Sequence, residues 1–269
     1  MNAAVIIPLY KKKLSSLEEI AIKQCFSILK DHPIIAVKPR TLNLDNYPFP
    51  FKEIISFDDQ YFANIQGYNK LMLSANFYEK FLQYKYILIH QTDAFIFKNE
   101  LAYWCEKGYD YIGAPWLRDA DYPDLFKKLK NKLLSFIYIK QNKKLSNSII
   151  PHPLQFENKV GNGGLSLRNT QRFFDVCNIE LTLINDYNNI DQHRFNEDAF
   201  WGIEVNRKKK RLRIPDYKEA LKFSIENGYH FAFKLNKGKL PFGCHAWDKN
   251  LDFWQPVITE FGYKLVSEN

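Results

Sequence analysis

Four short segments contain side chains that could form a reaction centre. Asp93 directly follows the apolar run YILIHQT, and a carboxylate at the end of a strand can hold a divalent cation. The segment GNGGLSLR, residues 161–168, has glycines that let the main chain approach a sugar or a phosphate closely. Asp198 in NEDAFWG can act as a general base, with Glu197 orienting it or capping the helix. His245 in PFGCHAW can bind a metal or contact a diphosphate.

Each of these segments also has a purely structural interpretation. A lone Asp93 can cap a helix or close a turn, and paired glycines can form a β-bulge or a tight hairpin. Glu197 and Asp198 suit the first turn of a helix, where acidic side chains complement the helix dipole. An isolated histidine such as His245 can also be purely structural, as a hydrogen-bonding group. The residues alone leave both interpretations open.

Several familiar signatures of enzyme classes are missing from the sequence. It contains no G-x-x-x-x-G-K-[ST], G-x-G-x-x-G, H-E-x-x-H or G-x-S-x-G segment, which argues against P-loop NTPases, dinucleotide enzymes, zincins and α/β-hydrolases. The four cysteines are far apart and form no C-x-x-C pair, so we expect neither a zinc site nor a disulfide framework. We expect buried thiols in a cytoplasmic protein.

The four segments lie at the ends of predicted strands or in loops of an alternating α/β pattern. Short apolar runs predict strands at residues 4–8, 34–37, 54–57 and 86–90. A capping box that begins at Ser15 or Ser16 predicts the first helix, and apolar spacing predicts helices at 68–84 and 101–106. The alternation fails at about residues 117–158, and we interpret this basic stretch as an insertion on the sheet.

Length and charge narrow the classes of protein. A chain of 269 residues that is 46% hydrophobic and 25% charged suits one large α/β domain. The net charge of +8 permits an anionic partner, but no nucleic-acid-binding motif accompanies the basic run RKKKRLR at 207–213, so no nucleic-acid partner is expected. The N-terminus lacks the pattern of a signal peptide, and no apolar run is long enough to cross a membrane.

Residues 124–140, DLFKKLKNKLLSFIYIK, combine a broad apolar face with five lysines that lie mostly on the other side. The apolar positions are Leu125, Phe126, Leu129, Leu133, Leu134, Phe136 and Ile137. This pattern is typical of a helix that lies in the surface of an anionic membrane. The alternative is a helix whose apolar face packs on the rest of the domain.

In combination, seven segments resemble a glycosyltransferase of the GT-A fold, and more narrowly a widespread uncharacterised bacterial family assigned to that fold. These segments are VIIPLY, GYNKLMLS, FYEKFLQYKYILIHQTDAFIF, YWCEKGYDYIGAPW, VGNGGLSLR, NEDAFWG and LPFGCHAW. The resemblance covers much of the chain outside residues 117–158. It implies one domain over residues 1–269, with a GT-A-like, Rossmann-like mixed central sheet flanked by helices and an insertion at about 117–158.

The resemblance also implies roles for individual residues. QTDAF stands where GT-A enzymes carry the DxD motif, although Gln91 replaces the first acidic residue and only Asp93 keeps a carboxylate. NEDAFWG resembles the ED motif of inverting enzymes, which makes Asp198 the catalytic base with Glu197 beside it. The implied donor-binding residues are Pro8, Tyr10, Asn69, Lys70, Gln91, Thr92, Asp93, Gly163, Gly164 and Arg168; the implied acceptor-binding residues are Trp116, Trp201 and Trp247; the implied metal ligands are Asp93 and His245.

The implied activity is inverting transfer of a sugar from a nucleotide sugar, in particular a UDP-sugar, with Mn²⁺ or Mg²⁺ as cofactor. The implied acceptor is a glycan or a lipid-linked glycan in the synthesis of lipopolysaccharide, capsule or exopolysaccharide. The protein would work in the cytoplasm, with peripheral contact to the inner face of the cytoplasmic membrane. Two alternatives remain: a retaining transferase on the same fold, and a glycan-binding module without catalysis. The sequence leaves the oligomeric state open.

Overall fold

The computed structural model describes residues 2–45 and 47–265, and these residues form a mixed α/β fold. The strands are β1 Ala3–Pro8, β2 Ile34–Pro39, β3 Glu53–Phe57, β4 Tyr86–His90, β5 Ala94–Ile96, β6 Tyr111–Gly113, β7 Leu165–Asn169, β8 Ser224–Ile225 and β9 Gly243–His245. Six of these strands form a central sheet in the order β3-β2-β1-β4-β7-β6. The first four are parallel, whereas β7 runs antiparallel to both β4 and β6.

Helices precede or follow most of the strands along the chain. The α-helices are α1 Ser16–Ile28, α2 Ile65–Met72, α3 Ala75–Glu79, α4 Leu101–Glu106, α5 Leu125–Lys140, α6 Thr170–Ile179, α7 Leu181–Asn188, α8 Glu197–Gly202, α9 Tyr217–Phe223, α10 Tyr229–Leu235 and α11 Leu251–Glu260. Short 3-10 helices span Asp59–Phe62, Pro153–Gln155, His193–Phe195, Glu204–Asn206 and Trp247–Asn250. None of the helices in the described ranges is both long and apolar enough to cross a membrane.

The predicted fold class, a mixed central sheet flanked by helices, is confirmed. Strand β4 and helix α4 have the predicted bounds, because each is a short apolar run with clear limits. The single helix predicted at 68–84 is wrong, since the chain forms α2 and α3 there. Asn64 caps α2 by accepting a hydrogen bond from the Gly67 N–H at 2.8 Å, and Ser74 is extended, which ends the first helix.

A second, three-stranded sheet with the order β5-β9-β8 follows the carboxyl end of β4. Strand β5 pairs antiparallel with β9, and this register places Ala94 opposite His245. Strand β8 pairs parallel with β9, and this register places Ile225 opposite Cys244. The small sheet therefore brings the residue before β5 and the residue after β8 next to the last residue of β9.

Two apolar clusters hold the elements together. The larger cluster lies around the central sheet, where every residue of β1 and β4 is buried. The smaller cluster includes Phe95, Phe97, Trp247 and Trp254, and it connects the small sheet to α11. All four cysteines are free and buried, as the sequence predicts for thiols outside a disulfide framework.

Candidate active site

Three titratable side chains meet at the end of the small sheet. Oδ1 of Asp93 lies 3.0 Å from Nε2 of His245, because the antiparallel register of β5 and β9 makes these residues neighbours. The other ring nitrogen, Nδ1, lies 3.3 Å from Oε1 of Glu226, which directly follows β8. Oε1 of Gln91 is also 3.1 Å from Nε2. The imidazole is thus held between two carboxylates and an amide.

This arrangement makes His245 a cation. Burial works against its charged form, but the hydrogen bonds and negative charges of Asp93 and Glu226 outweigh burial and raise the pKa of His245 to about 10. Burial likewise disfavours the Asp93 carboxylate, yet its hydrogen bond and its attraction to His245 lower the pKa of Asp93. The pair carries a positive ring beside a negative carboxylate at neutral pH.

A second cluster contains the two acidic residues at the start of α8. Oε1 of Glu197 forms a buried ion pair with Nη2 of Arg168 at 3.1 Å. Asp198 remains partly exposed, and its Oδ1 accepts a hydrogen bond from the Ala199 N–H at 2.7 Å. Burial and the negative charges of Glu197 and Glu226 raise the pKa of Asp198 to about 7. A carboxylate with this pKa is well suited to accept a proton near neutral pH.

Two consecutive glycines connect the clusters. A methyl group added at Gly164 would lie 1.9 Å from Nε2 of His245, and one added at Gly163 would lie 1.9 Å from Oε1 of Glu197. Neighbouring Cα atoms are only about 3.8 Å apart, so the histidine and the glutamate approach the same short stretch of main chain. The sequence predicted that these glycines leave room for a ligand. In the structure, the side chains of His245 and Glu197 occupy that room.

The amino end of α8 is held from another helix. Oδ1 of Asn69 accepts a hydrogen bond from the Glu197 N–H at 3.1 Å, while Nδ2 of Asn69 donates to Oδ1 of Asn196 at 3.0 Å. Asn69 is predicted to bind the donor, and in the structure both polar atoms of its side chain bond to the start of α8. Lys70 follows it on the exposed side of α2.

The loop between β4 and β5 is anchored by Glu18 of α1. Thr92 is buried and donates its hydroxyl to Oε1 of Glu18 at 2.7 Å, an oxygen that also lies 2.8 Å from Nζ of Lys11. Tyr10 is 54% exposed, and the charges of Glu18 and Asp93 add to partial burial in raising its pKa. Tyr10 is thus open to solvent, whereas Thr92 fastens the Asp93 loop to α1 from within. Pro8 ends β1 and is buried.

The structure corrects three predicted ligand contacts. Trp201 and Trp247 are fully buried, so neither ring can contact an acceptor. Nε1 of Trp201 donates to the Met72 carbonyl at 3.3 Å, and the Trp247 ring contacts Phe95 in the smaller apolar cluster. Arg168 is also fully buried. Its guanidinium is therefore enclosed by Glu197 and the main chain of Gly163 and is not open to a donor.

Trp116 differs from the other two predicted acceptor residues. Its ring is partly exposed and contacts Phe156 edge to face, with ring centroids 5.3 Å apart. A methyl group added at Gly161 would lie 2.0 Å from the Trp116 ring, so this glycine makes room for the indole. Trp116 thus lies beside the glycine-rich segment with part of its surface free.

Three residues of the site were not predicted from the sequence as site residues. Glu226 follows the short strand β8, and only the parallel register of β8 and β9 connects it with His245. The Tyr68 hydroxyl is buried, and burial together with the negative charge of Glu197 raises its pKa. Glu18 is the acidic residue of the capping box that begins at Ser15, and that local pattern does not indicate its bond to Thr92. Tyr68 could have been found from its place in GYNK, next to Asn69.

Asp93 and His245 can contribute to a cation site. A carboxylate oxygen and an imidazole nitrogen suit Mn²⁺, and Glu226 on Nδ1 matches the carboxylates that orient metal-binding histidines. His245 must lose its proton to bind a metal. Among residues 2–45 and 47–265, no group of three His, Cys, Asp or Glu side chains could hold a metal ion. A cation here would depend on ligand oxygens and water for its other bonds.

Replacing Gly164 with alanine should displace the His245 ring. The added methyl group would overlap Nε2, so we expect the free energy of unfolding to fall by about 1–3 kcal/mol. The pKa of His245 should fall from about 10 towards its ordinary value of 6.5 as the ring leaves Asp93. Histidine NMR titration and urea unfolding measure both effects. Gly163→Ala is the matched control, because its methyl group meets Glu197 instead; an unchanged pKa in Gly164→Ala would contradict this packing.

Comparison with known proteins agrees with the fold. The structure of an active-site mutant of LgtC, a GT-A glycosyltransferase, matches with a TM-score of 0.55 over 98% of this chain and 98% of LgtC. The two sequences are 12% identical, so this likeness concerns the fold alone. No curated protein matches the sequence significantly. Residues 52–245 match the model of the family described as protein of unknown function DUF5672. Since this match spans more than half of the chain, the protein belongs to the DUF5672 family.

Proposed function

We propose that this protein is a glycosyltransferase that moves a sugar from a nucleotide sugar to an acceptor hydroxyl. The observation that carries the proposal is the junction at Gly163 and Gly164. On one side it contacts the cationic His245, which pairs with Asp93, and on the other it contacts Glu197, the residue before Asp198. The reaction needs a positive group that stabilises the leaving diphosphate and a carboxylate that acts as a base.

The leaving nucleoside diphosphate develops negative charge as its bond to the sugar breaks. Asp93 and His245, once the imidazole has lost its proton, would hold a Mn²⁺ or Mg²⁺ ion, which would supply positive charge for the leaving group. Glu226 fixes the orientation of the His245 ring through Nδ1, and Gln91 supplies an amide oxygen on the opposite side. Tyr10 is exposed near the same loop and can stack on the nucleotide base.

Asp198 takes the proton of the acceptor hydroxyl in the proposed reaction. Its pKa of about 7 keeps a large fraction ionised at neutral pH, and partial exposure lets an acceptor reach it. Asn69 and the Arg168–Glu197 ion pair hold the start of α8 in place around this carboxylate. The partly exposed Trp116 offers an apolar ring face for an acceptor sugar. Attack by this hydroxyl on the face opposite the leaving group gives inversion.

The identities of the donor, the acceptor and the pathway are taken from the sequence resemblance. We take a UDP-sugar as donor and a glycan or lipid-linked glycan as acceptor, in the synthesis of a bacterial surface polysaccharide. Four free, buried thiols support a reducing compartment such as the cytoplasm. A turnover screen with several nucleotide sugars tests the assignment of the donor.

The direct test measures turnover of UDP-, GDP-, CMP- and dTDP-sugars with a bacterial glycan extract as acceptor. One class of nucleotide sugar should raise the melting temperature by mass action and should be consumed only when acceptor is present. NMR of the product then gives its anomeric configuration, and retention would replace the inverting assignment with the retaining one. If the protein binds glycans of the extract but turns over no nucleotide sugar, it is a glycan-binding module. Neither binding nor turnover with any donor would refute the proposal.

Removal of divalent cations should abolish most of this turnover. Asp93 and His245 supply only two protein ligands, so the protein without nucleotide should bind Mn²⁺ weakly and the nucleoside diphosphate should strengthen that binding. Turnover in EDTA, with and without added Mn²⁺, measures the dependence. Unchanged turnover in EDTA would assign the stabilisation of the leaving group to the His245 cation and not to a metal.

A further inference from the structure

Helix α5 carries an apolar stripe that the rest of the described chain does not cover. Its members are large side chains that are more than half exposed: Leu125 70%, Phe126 77%, Leu129 58%, Leu133 60% and Phe136 58%. Positions 125, 129, 133 and 136 follow helical spacing, so they lie on one face of the helix. An exposed apolar patch of this kind marks a surface for interaction.

The opposite side of α5 makes the contacts with the domain. Ser135 is the buried residue of the helix, and the Tyr138 ring contacts His152 with ring centroids 4.8 Å apart. On a helical projection these two positions lie roughly 120–170° from the middle of the apolar stripe. The stripe therefore points away from the domain. The sequence also allowed a helix whose apolar face packs on the domain, and that interpretation is wrong for these five positions.

Lysines border the stripe. Lys130 and Lys132 are exposed and lie on either side of it in the helical projection. Within residues 2–45 and 47–265, no carboxylate forms an ion pair with either of these two lysines, whereas Lys128 pairs with Asp121 at 3.1 Å. The border of the stripe therefore carries free positive charge.

A second basic segment lies next to the carboxyl end of α5. Nη1 of Arg207 donates to the Ile139 carbonyl, and Nζ of Lys140 donates to the Arg207 carbonyl at 2.9 Å. The buried Arg207 side chain also forms an ion pair with Glu204 at 2.8 Å, which fixes this junction. Residues 208–210 are three exposed lysines that follow directly. The carboxyl end of α5 is therefore joined to a segment of positive charge.

We propose that the apolar stripe of α5 binds the surface of an anionic lipid bilayer. The side chains of the stripe enter the boundary between headgroups and acyl chains, while the bordering lysines bind the lipid phosphates and carboxylates. A second copy of this chain is a poorer partner, because facing α5 helices would bring their unpaired lysines together. The binding does not depend on any catalytic activity, so it goes beyond the proposed function.

The test is co-sedimentation with vesicles of phosphatidylcholine alone or with added phosphatidylserine. The full chain should sediment with the phosphatidylserine vesicles at low salt, and high salt should release much of it because the charges are screened. The double variant Leu129→Gln/Leu133→Gln should reduce binding by about tenfold or more. Because both positions are exposed, this variant should unfold at the same urea concentration as the native protein.

Ile54→Gln/Ile65→Gln is the matched control, since the two side chains are 48% and 69% exposed and lie on β3 and α2. It should bind vesicles as the native protein does. The variant Lys130→Gln/Lys132→Gln should weaken binding chiefly at low salt. The proposal is overturned if the native protein does not sediment with anionic vesicles at low salt, or if the α5 variant binds as well as the native chain. A dimer in light scattering that Leu129→Gln/Leu133→Gln dissociates would assign the stripe to self-association instead.

Discussion

Replacing Asp198 with asparagine should lower turnover by about 10²-fold or more, which is the scale of a positioned general base. The amide is the same size as the carboxylate, and its oxygen can still accept the Ala199 N–H that Asp198 accepts at 2.7 Å. The geometry of α8 should therefore survive, and the affinity for nucleotide should change little. Single-turnover kinetics and nucleotide titration separate these two quantities. Near-normal turnover in Asp198→Asn would remove this residue from the mechanism.

The pH profile gives an independent test of the same residue. Burial and the charges of Glu197 and Glu226 raise the pKa of Asp198 to about 7, and a base works only when it has lost its proton. In the native protein, kcat/KM should therefore fall as the pH drops below about 7. Asp198→Asn should lose this dependence. Asp191→Asn is the matched control, because Asp191 is exposed and upstream of α8, and it should retain both the rate and the profile.

The second large effect concerns stability. Arg168→Met should lower the free energy of unfolding by about 3–5 kcal/mol, because it leaves the Glu197 carboxylate buried without its partner. Arg168 also donates to the Tyr78 hydroxyl at 2.8 Å and to the Ser166 hydroxyl at 3.0 Å, so its loss leaves those groups without a donor. Urea unfolding measures the change. Arg172→Met, at a mostly exposed arginine on α6, should change stability by less than about 0.5 kcal/mol.

Adding Glu197→Gln to Arg168→Met should recover part of the lost stability, because the stranded charge is then removed. The defect of the single variant should also depend on pH. Burial raises the pKa of Glu197 in the native fold even though Arg168 opposes it, so a folded chain without Arg168 holds this proton more tightly still. A raised carboxyl pKa contributes stability at low pH that is lost as the pH rises. The defect should be smaller in mildly acidic than in mildly alkaline solution; a defect independent of pH would contradict a stranded carboxylate.

The local features of this protein were predictable from its sequence. Strand β4 and helix α4 have the predicted bounds, and the capping box at Ser15 begins α1, because apolar runs and capping residues act within a few positions along the chain. The order of strands and helices also predicted an α/β domain with the Asp93 motif at a strand end, and the resemblance to GT-A enzymes added the expectation of a mixed sheet. These features depend on short-range propensity and periodicity, which a single sequence records directly.

The partners of the candidate site were decided by tertiary structure. Glu226 meets His245 because two short strands pair in a particular register, and Asp93 meets the same ring through another register. The Gly163–Gly164 stretch accommodates side chains that come from residues more than thirty positions away in sequence. No local pattern encodes such contacts, since they depend on which strands become neighbours.

Burial also decided which predicted residues can reach a ligand. Arg168, Trp201 and Trp247 carry chemistry suited to binding, but the fold encloses all three, so they act through packing and ion pairing. The α5 helix shows the reverse case. The sequence predicted its amphipathic pattern but not the direction in which its apolar stripe points. Helical periodicity determines that a helix has two faces, but it does not determine which of them the domain covers.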